Sequence, residues 1–171
     1  MKINTLVLSV AALVLGVGAD GRLALGQNSV SFYTVFAKAN QPVPAECVQE
    51  VKLFESLAAK LPHPKSGWKF VMVCDDGSWN LAMQHIGFSG DGMEHYGETD
   101  LTGKMTLFRG EKLIHPDIGV SAEHIVAHEL AHVMMQSTDE LKVDQQALAW
   151  IAAQQNAPKP TIAAAQSGTG Q

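Results

Sequence analysis

The segment from Ser121 to Gln136 constrains this chain most, because it reads as a helix with two unlike sides. Ser121 is placed to cap its N-terminus, and Glu123 stands in the first turn, where the helix dipole favours negative charge. Val126, Leu130, Val133 and Met134 form an apolar stripe, while His128 and His132 leave a nearly opposite side. One side is built for a core and the other for a cleft.

The cleft side reads His128-Glu129-Leu130-Ala131-His132. Positions i and i+4 of a helix lie about 40° apart in projection, so both imidazoles leave one face. Two such nitrogens can bind one Zn²⁺ at about 2.0–2.1 Å each. Glu129, rotated about 100° from His128, is placed to act as general base on a metal-bound water, whose pKa the metal lowers towards about 7.

A second helix is expected from near Thr138 or Asp139 to about Gln154, with Thr138 as its cap. Glu140 and Asp144 repeat the i, i+4 spacing on it. Two antiparallel helices joined by a short connection can bring Glu140 to the metal as third ligand. Asp144 can then accept a hydrogen bond from the far nitrogen of a ligating histidine and fix its tautomer. A resemblance to a different family of HExxH enzymes, which use an Asp ligand, makes Asp139 the alternative third ligand. His124 lies one turn before His128, as a wall of the cleft or as a surface residue of the helix end. His85, His95, His115 and Tyr96 are candidates to stabilise an oxyanion, and spacing selects none of them.

The rest of the chain predicts an α+β fold: a small single domain with an N-terminal helix, a short mixed sheet, the motif helix and the following ligand-bearing helix. Val48, Val51, Phe54, Leu57, Ala58 and Leu61 give Ala45 to Leu61 a helical period, ended by Pro62 and Pro64. Trp68 to Cys74 reads as a strand closed by Asp75-Asp76-Gly77, and Trp79 to His85 as a second. Residues 93–99 make a weak strand and Met105 to Phe108 a better one, whose edge can pair with an extended substrate. The run Ser89 to Glu94 lacks the ligand spacing of a calcium loop and reads as a turn.

Residues 1–26 read as a signal peptide, with Lys2 ahead of an apolar run from Leu6 to Val17 that is too short for a membrane span. Cleavage is expected before Gln27, with an earlier small-residue exit at Val17-Gly18-Ala19. No stable membrane span is expected after it, and the protein is placed outside the cytoplasm, periplasmic or secreted. Export makes a disulfide between Cys47 and Cys74 the favoured pairing, tying an early helix to an early strand. The packed domain then spans 27–155, and residues 156–171, rich in Pro, Gly, Ser and Gln, are expected to form a disordered C-terminal tail.

Composition removes other classes. Of 171 residues, 46% are apolar, enough for a core. The net charge is −5, with 17 acidic against 12 basic residues and no basic run, so nucleic acid is excluded as a partner. Two cysteines cannot build a four-thiolate zinc site.

The motif HELAH followed by Glu140-Leu141-Lys142-Val143-Asp144-Gln145-Gln146-Ala147 resembles the gluzincin metallopeptidases, especially their minimal members. The resemblance runs from about Gly97 to Ala153, with Val143 standing where the family usually has Ala. It implies Zn²⁺ held by His128, His132 and Glu140, Glu129 as base, and Asp144 behind a ligand. The expected function is an exported zinc peptidase acting on peptide or protein substrates through a Glu-activated zinc-bound water. The alternative is a non-catalytic zinc-binding or peptide-binding domain of the same fold, which has ligands but no need for Glu129.

Overall fold

In a computed structural model the described residues are 27–33, 45–90 and 92–157. The expected signal peptide, the Pro42/Pro44 break and residues 158–171 of the expected tail lie outside them. The fold is α+β. Four strands form a mixed sheet: β1 (Gln27–Tyr33), β2 (Ser66–Val73), β3 (Gly97–Asp100) and β4 (Met105–Arg109), in the order β1-β2-β4-β3. β1, β2 and β4 run parallel, and β3 closes the edge antiparallel to β4.

Strand alternation divides the core. Trp68, Phe70 and Met72 of β2 and Phe108 of β4 face one layer, with Phe54 of helix α1 (Ala45–Ala58) and Ile125, Val126, Leu130 and Val133 of helix α4 (Ala122–Met135). Val73 and Leu107 face the other, covered by Trp79, Ala82 and Met83 of helix α2 (Asp76–His85). Helix α3 (Gly110–Ile114) follows β4 directly and adds Leu113 to the first layer. Helix α5 (Glu140–Gln155) packs on α4 through buried Val143 and Ala147. A disulfide joins Cys47 of α1 to Cys74 at the end of β2.

Several expectations need correction. Trp79 to His85 is helix, because Asp75 caps it by accepting from the Ser78 amide at 2.8 Å. The Asp-Asp-Gly read as a strand-closing turn is therefore a helix start, and Trp79, Ala82 and Met83 bury at helical spacing. Met105–Phe108 offers no free edge, since β2 and β3 flank it; the open edge beside α4 belongs to β3. Met134 is 44% exposed and leaves the core stripe that Val126, Leu130 and Val133 keep. Asp139, not Thr138, caps α5, accepting from the Lys142 amide at 3.2 Å.

Candidate metal centre

Ser121 starts α4 as expected, its side chain accepting from the His124 amide at 3.1 Å. The helix ends in a left-handed residue, Gln136 (φ 50°, ψ 46°), which reverses the chain within a few residues. This tight reversal has a chemical consequence. It lays the Ser137 carbonyl 2.7 Å from His132 Nδ1, which donates to it and leaves the Nε2 lone pair free.

α5 then runs back along α4 and brings Glu140 to the histidines. His128 Nε2 lies 3.1 Å from His132 Nε2 and 3.1 Å from Glu140 Oε2, and the third side, His132 Nε2 to Glu140 Oε2, is 3.6 Å. Two nitrogens and a carboxylate oxygen thus converge on one point, as one metal ion requires. Burial, and after it the neighbouring His132 ring, pushes the His128 imidazole below its ordinary pKa. A neutral imidazole is the form that ligates. Asp139 does not join the group. It caps α5 and pairs with Lys142 Nζ at 2.7 Å, which holds its carboxyl below the usual range.

Asp144, one turn beyond Glu140, accepts from His124 Nε2 at 2.7 Å and stands 3.7 Å from His128 Nδ1. It does sit behind a candidate ligand, but its short bond goes to His124. His124, His128 and Asp144 form a second group whose donor atoms could hold a cation, sharing His128 with the first.

Glu129, the neighbour of His128 on α4, is 5% exposed and reaches β3. Its Oε2 accepts from the Thr99 hydroxyl of β3 at 2.7 Å. Thr99 lies 3.0 Å from the hydroxyl of Thr106, its cross-strand partner on β4, which takes the Trp68 indole N–H at 3.0 Å. Burial pushes the Glu129 carboxyl up to about 8; the Thr99 hydrogen bond opposes this, and the charges of Glu98 and Glu140 add to it. Gly97 makes room for the side chain: a Cβ there would stand 2.6 Å from Glu129 Oε1.

A cleft of about 310 Å³ opens against His128 and Glu129, walled by Tyr96 and Gly97 on one side and Val120, His124 and Ile125 on the other. Buried Arg109 ties α2 to the turn that precedes β3, donating from Nε to Asp76 at 2.6 Å and from Nη1 to the Met93 carbonyl at 2.7 Å. Of the oxyanion candidates, His95 and Tyr96 line the cleft, whereas His85 and His115 are exposed and do not. Tyr96 donates its hydroxyl to Asp117 at 2.9 Å, and His95 pairs with Glu98 at 3.2 Å.

Comparison with known protein families, curated proteins and solved structures finds no match to this chain.

Proposed function

We propose that the chain is an exported zinc peptidase that hydrolyses peptide bonds in the cleft between β3 and α4. The observation that carries this reading is the donor triangle, with sides of 3.1, 3.1 and 3.6 Å. Donors of a tetrahedral ion bound at about 2.0–2.1 Å stand roughly 3.3 Å apart, which matches that triangle for Zn²⁺. Larger, oxygen-seeking ions such as Ca²⁺ favour six to eight oxygens, and two imidazoles argue against them. Export is supported by the apolar leader and by the Cys47–Cys74 disulfide, a bond typical of oxidising compartments.

In this reading His128, His132 and Glu140 hold the ion. Zn²⁺ supplies a Lewis acid that polarises a carbonyl and makes a water acidic near neutral pH. Glu129 would accept the proton of an attacking water and release it to the departing amine nitrogen. A cation beside it lowers its pKa from the metal-free position, as opposite charge favours a carboxylate. The open edge of β3 suits an extended peptide, which would pair with it through main-chain hydrogen bonds. A site that only stores zinc has no use for a buried glutamate lining the cleft beside its ligands, and for that reason we favour catalysis over the non-catalytic alternative.

Metal content and cleavage of a peptide library by the parent and Glu129→Gln test the proposal together. Stoichiometric zinc in both is expected, with cleavage by the parent reduced in the variant by about 10²–10⁴-fold. Equal cleavage by both, or zinc absent from the parent, overturns it.

A further inference from the structure

Among the described residues, the one buried side-chain polar atom without a hydrogen-bond partner is Oε2 of Glu50. Glu50 lies on the inner side of α1 and is 2% exposed. Leaving a buried carboxylate oxygen unpaired is costly, so its surroundings call for a physical account.

Those surroundings are two sulfurs and negative charge. A carboxylate oxygen of Glu50 and the sulfurs of Cys47 and Cys74 all lie within 4.8 Å of one another. Gly110 leaves the space the carboxylate occupies; a Cβ there would collide with Oε2. The charges bearing on Glu50 are Glu111 of α3, Glu46 of its own helix and Asp75 at the start of α2, all acidic. A disulfide offers a carboxylate no proton and no charge. A cation would satisfy it and would be drawn by the three acids as well.

We propose that, once the disulfide is reduced, Cys47, Cys74 and Glu50 bind one thiophilic divalent cation of the Zn²⁺ or Cd²⁺ class. The same cysteines then tie α1 to β2 through a metal instead of a sulfur–sulfur bond. Two thiolates and a carboxylate form a donor set soft enough for these ions and shared with no residue of the histidine centre. The electrons come from a phosphine or dithiol reductant. With a phosphine, its lone pair breaks the S–S bond, it leaves as the phosphine oxide, and one water supplies the oxygen and both thiol protons. Metal binding then releases those two protons to solvent as both sulfurs ligate as thiolates.

The test is Cd²⁺ titration of the full chain, oxidised and phosphine-reduced, followed by the ultraviolet sulfur-to-cadmium charge-transfer band. Histidine and carboxylate ligands give no such band, so the two centres are read separately. The reduced protein should develop the band, saturating at one ion per chain, and the oxidised protein should not. Glu50→Gln should weaken this binding by at least about tenfold, while His128→Ala with His132→Ala should leave it intact. The comparison of oxidised with reduced parent needs no variant, so a variant that fails to fold does not remove the test. No band in the reduced parent overturns the proposal, whether it stays folded or unfolds and is not restored by Cd²⁺. An affinity unchanged by Glu50→Gln overturns it too, since the cysteines would then be chelating without the carboxylate.

Discussion

The Thr99 hydroxyl lies 2.7 Å from Oε2 of Glu129 and donates to it when that carboxyl is ionised, since a carboxylate can only accept. The Trp68 indole only donates, so Thr106 accepts from it, and once Thr99 gives its proton to the carboxylate the Thr106 proton is the one between the two hydroxyls. With Glu129 ionised, every donor in the series Trp68, Thr106, Thr99 points towards the carboxylate. The hydrogen bond thereby stabilises Glu129 in the charged form that its proposed role as base needs. Thr99→Val is expected to lower kcat by roughly 10- to 100-fold, the worth of a hydrogen bond to a charged group, with KM and zinc content little changed. Thr99→Ser should restore most of the rate. Steady-state kinetics of the three proteins decides it, and a loss that Ser does not rescue would assign Thr99 to packing alone.

Gly97 governs the same carboxylate from the other side. It is buried, and a methyl group on its Cα would meet Glu129 Cγ and Oε1 at 2.6 Å and Cδ at 2.7 Å. The carboxylate must shift, because the β3 backbone is held in register with β4. Gly97→Ala should cost on the order of 10²-fold in kcat, the usual effect of displacing a catalytic group by about 1 Å. His128, His132 and Glu140 do not meet this methyl, so zinc affinity should stay within a few-fold. Parallel loss of zinc would show that β3 supports the metal centre as a whole.

Glu140 and Asp139 are neighbours with separable roles. Glu140→Ala should weaken zinc by more than about 100-fold, measured by competition with a chromophoric chelator. Asp139→Ala should leave zinc affinity nearly unchanged and lower the melting temperature slightly, through loss of the α5 cap. Asp144→Ala should fall between them, weakening zinc by about tenfold, because it removes the anion between His124 and His128. The reverse ranking for Glu140 and Asp139 would move the third ligand by one residue.

The candidate metal centre is legible in the sequence because helix geometry is local. An i, i+4 pair shares a face in any fold, and a short connection forces the next helix to run back. The same logic reaches further than its first use. On antiparallel helices, residues on facing rungs have numbers that add to the same total, so pairing His128 with Glu140 also pairs His124 with Asp144. The pairing of His124 with Asp144 is therefore available from the pattern, although the position of His124 in the first turn leaves it open as cleft wall or surface residue. Thr99 and Thr106 left a fainter trace. Thr106 occupies a core-facing position of a short apolar strand, where a hydroxyl needs a partner. That partner is set by the β3–β4 register, which is non-local. Trp79 to His85 reads as a strand for a related reason: a short apolar run fits either period, and only the Asp75 cap decides for helix.

Glu50 makes the stability of the disulfide-closed protein depend on pH. Burial, followed by the charges of Glu111, Glu46 and Asp75, pushes its carboxyl from 4.5 up to about 7. The folded state therefore holds the proton more tightly than the unfolded chain. Its contribution to stability is complete below about pH 4.5 and is lost as pH rises through 7, by at most about 3 kcal/mol. Glu129, whose carboxyl is raised to about 8, acts in the same direction over an overlapping range. The difference between two proteins separates them. In metal-free, oxidised samples, melting temperatures of the parent and of Glu50→Gln should converge near pH 4.5 and diverge towards pH 8, with the variant the more stable at the alkaline end. Both curves retain the Glu129 contribution, so it cancels. Curves that stay parallel from pH 4.5 to pH 8 would mean that Glu50 keeps its ordinary acidity, with a solvent path or a donor offsetting its burial.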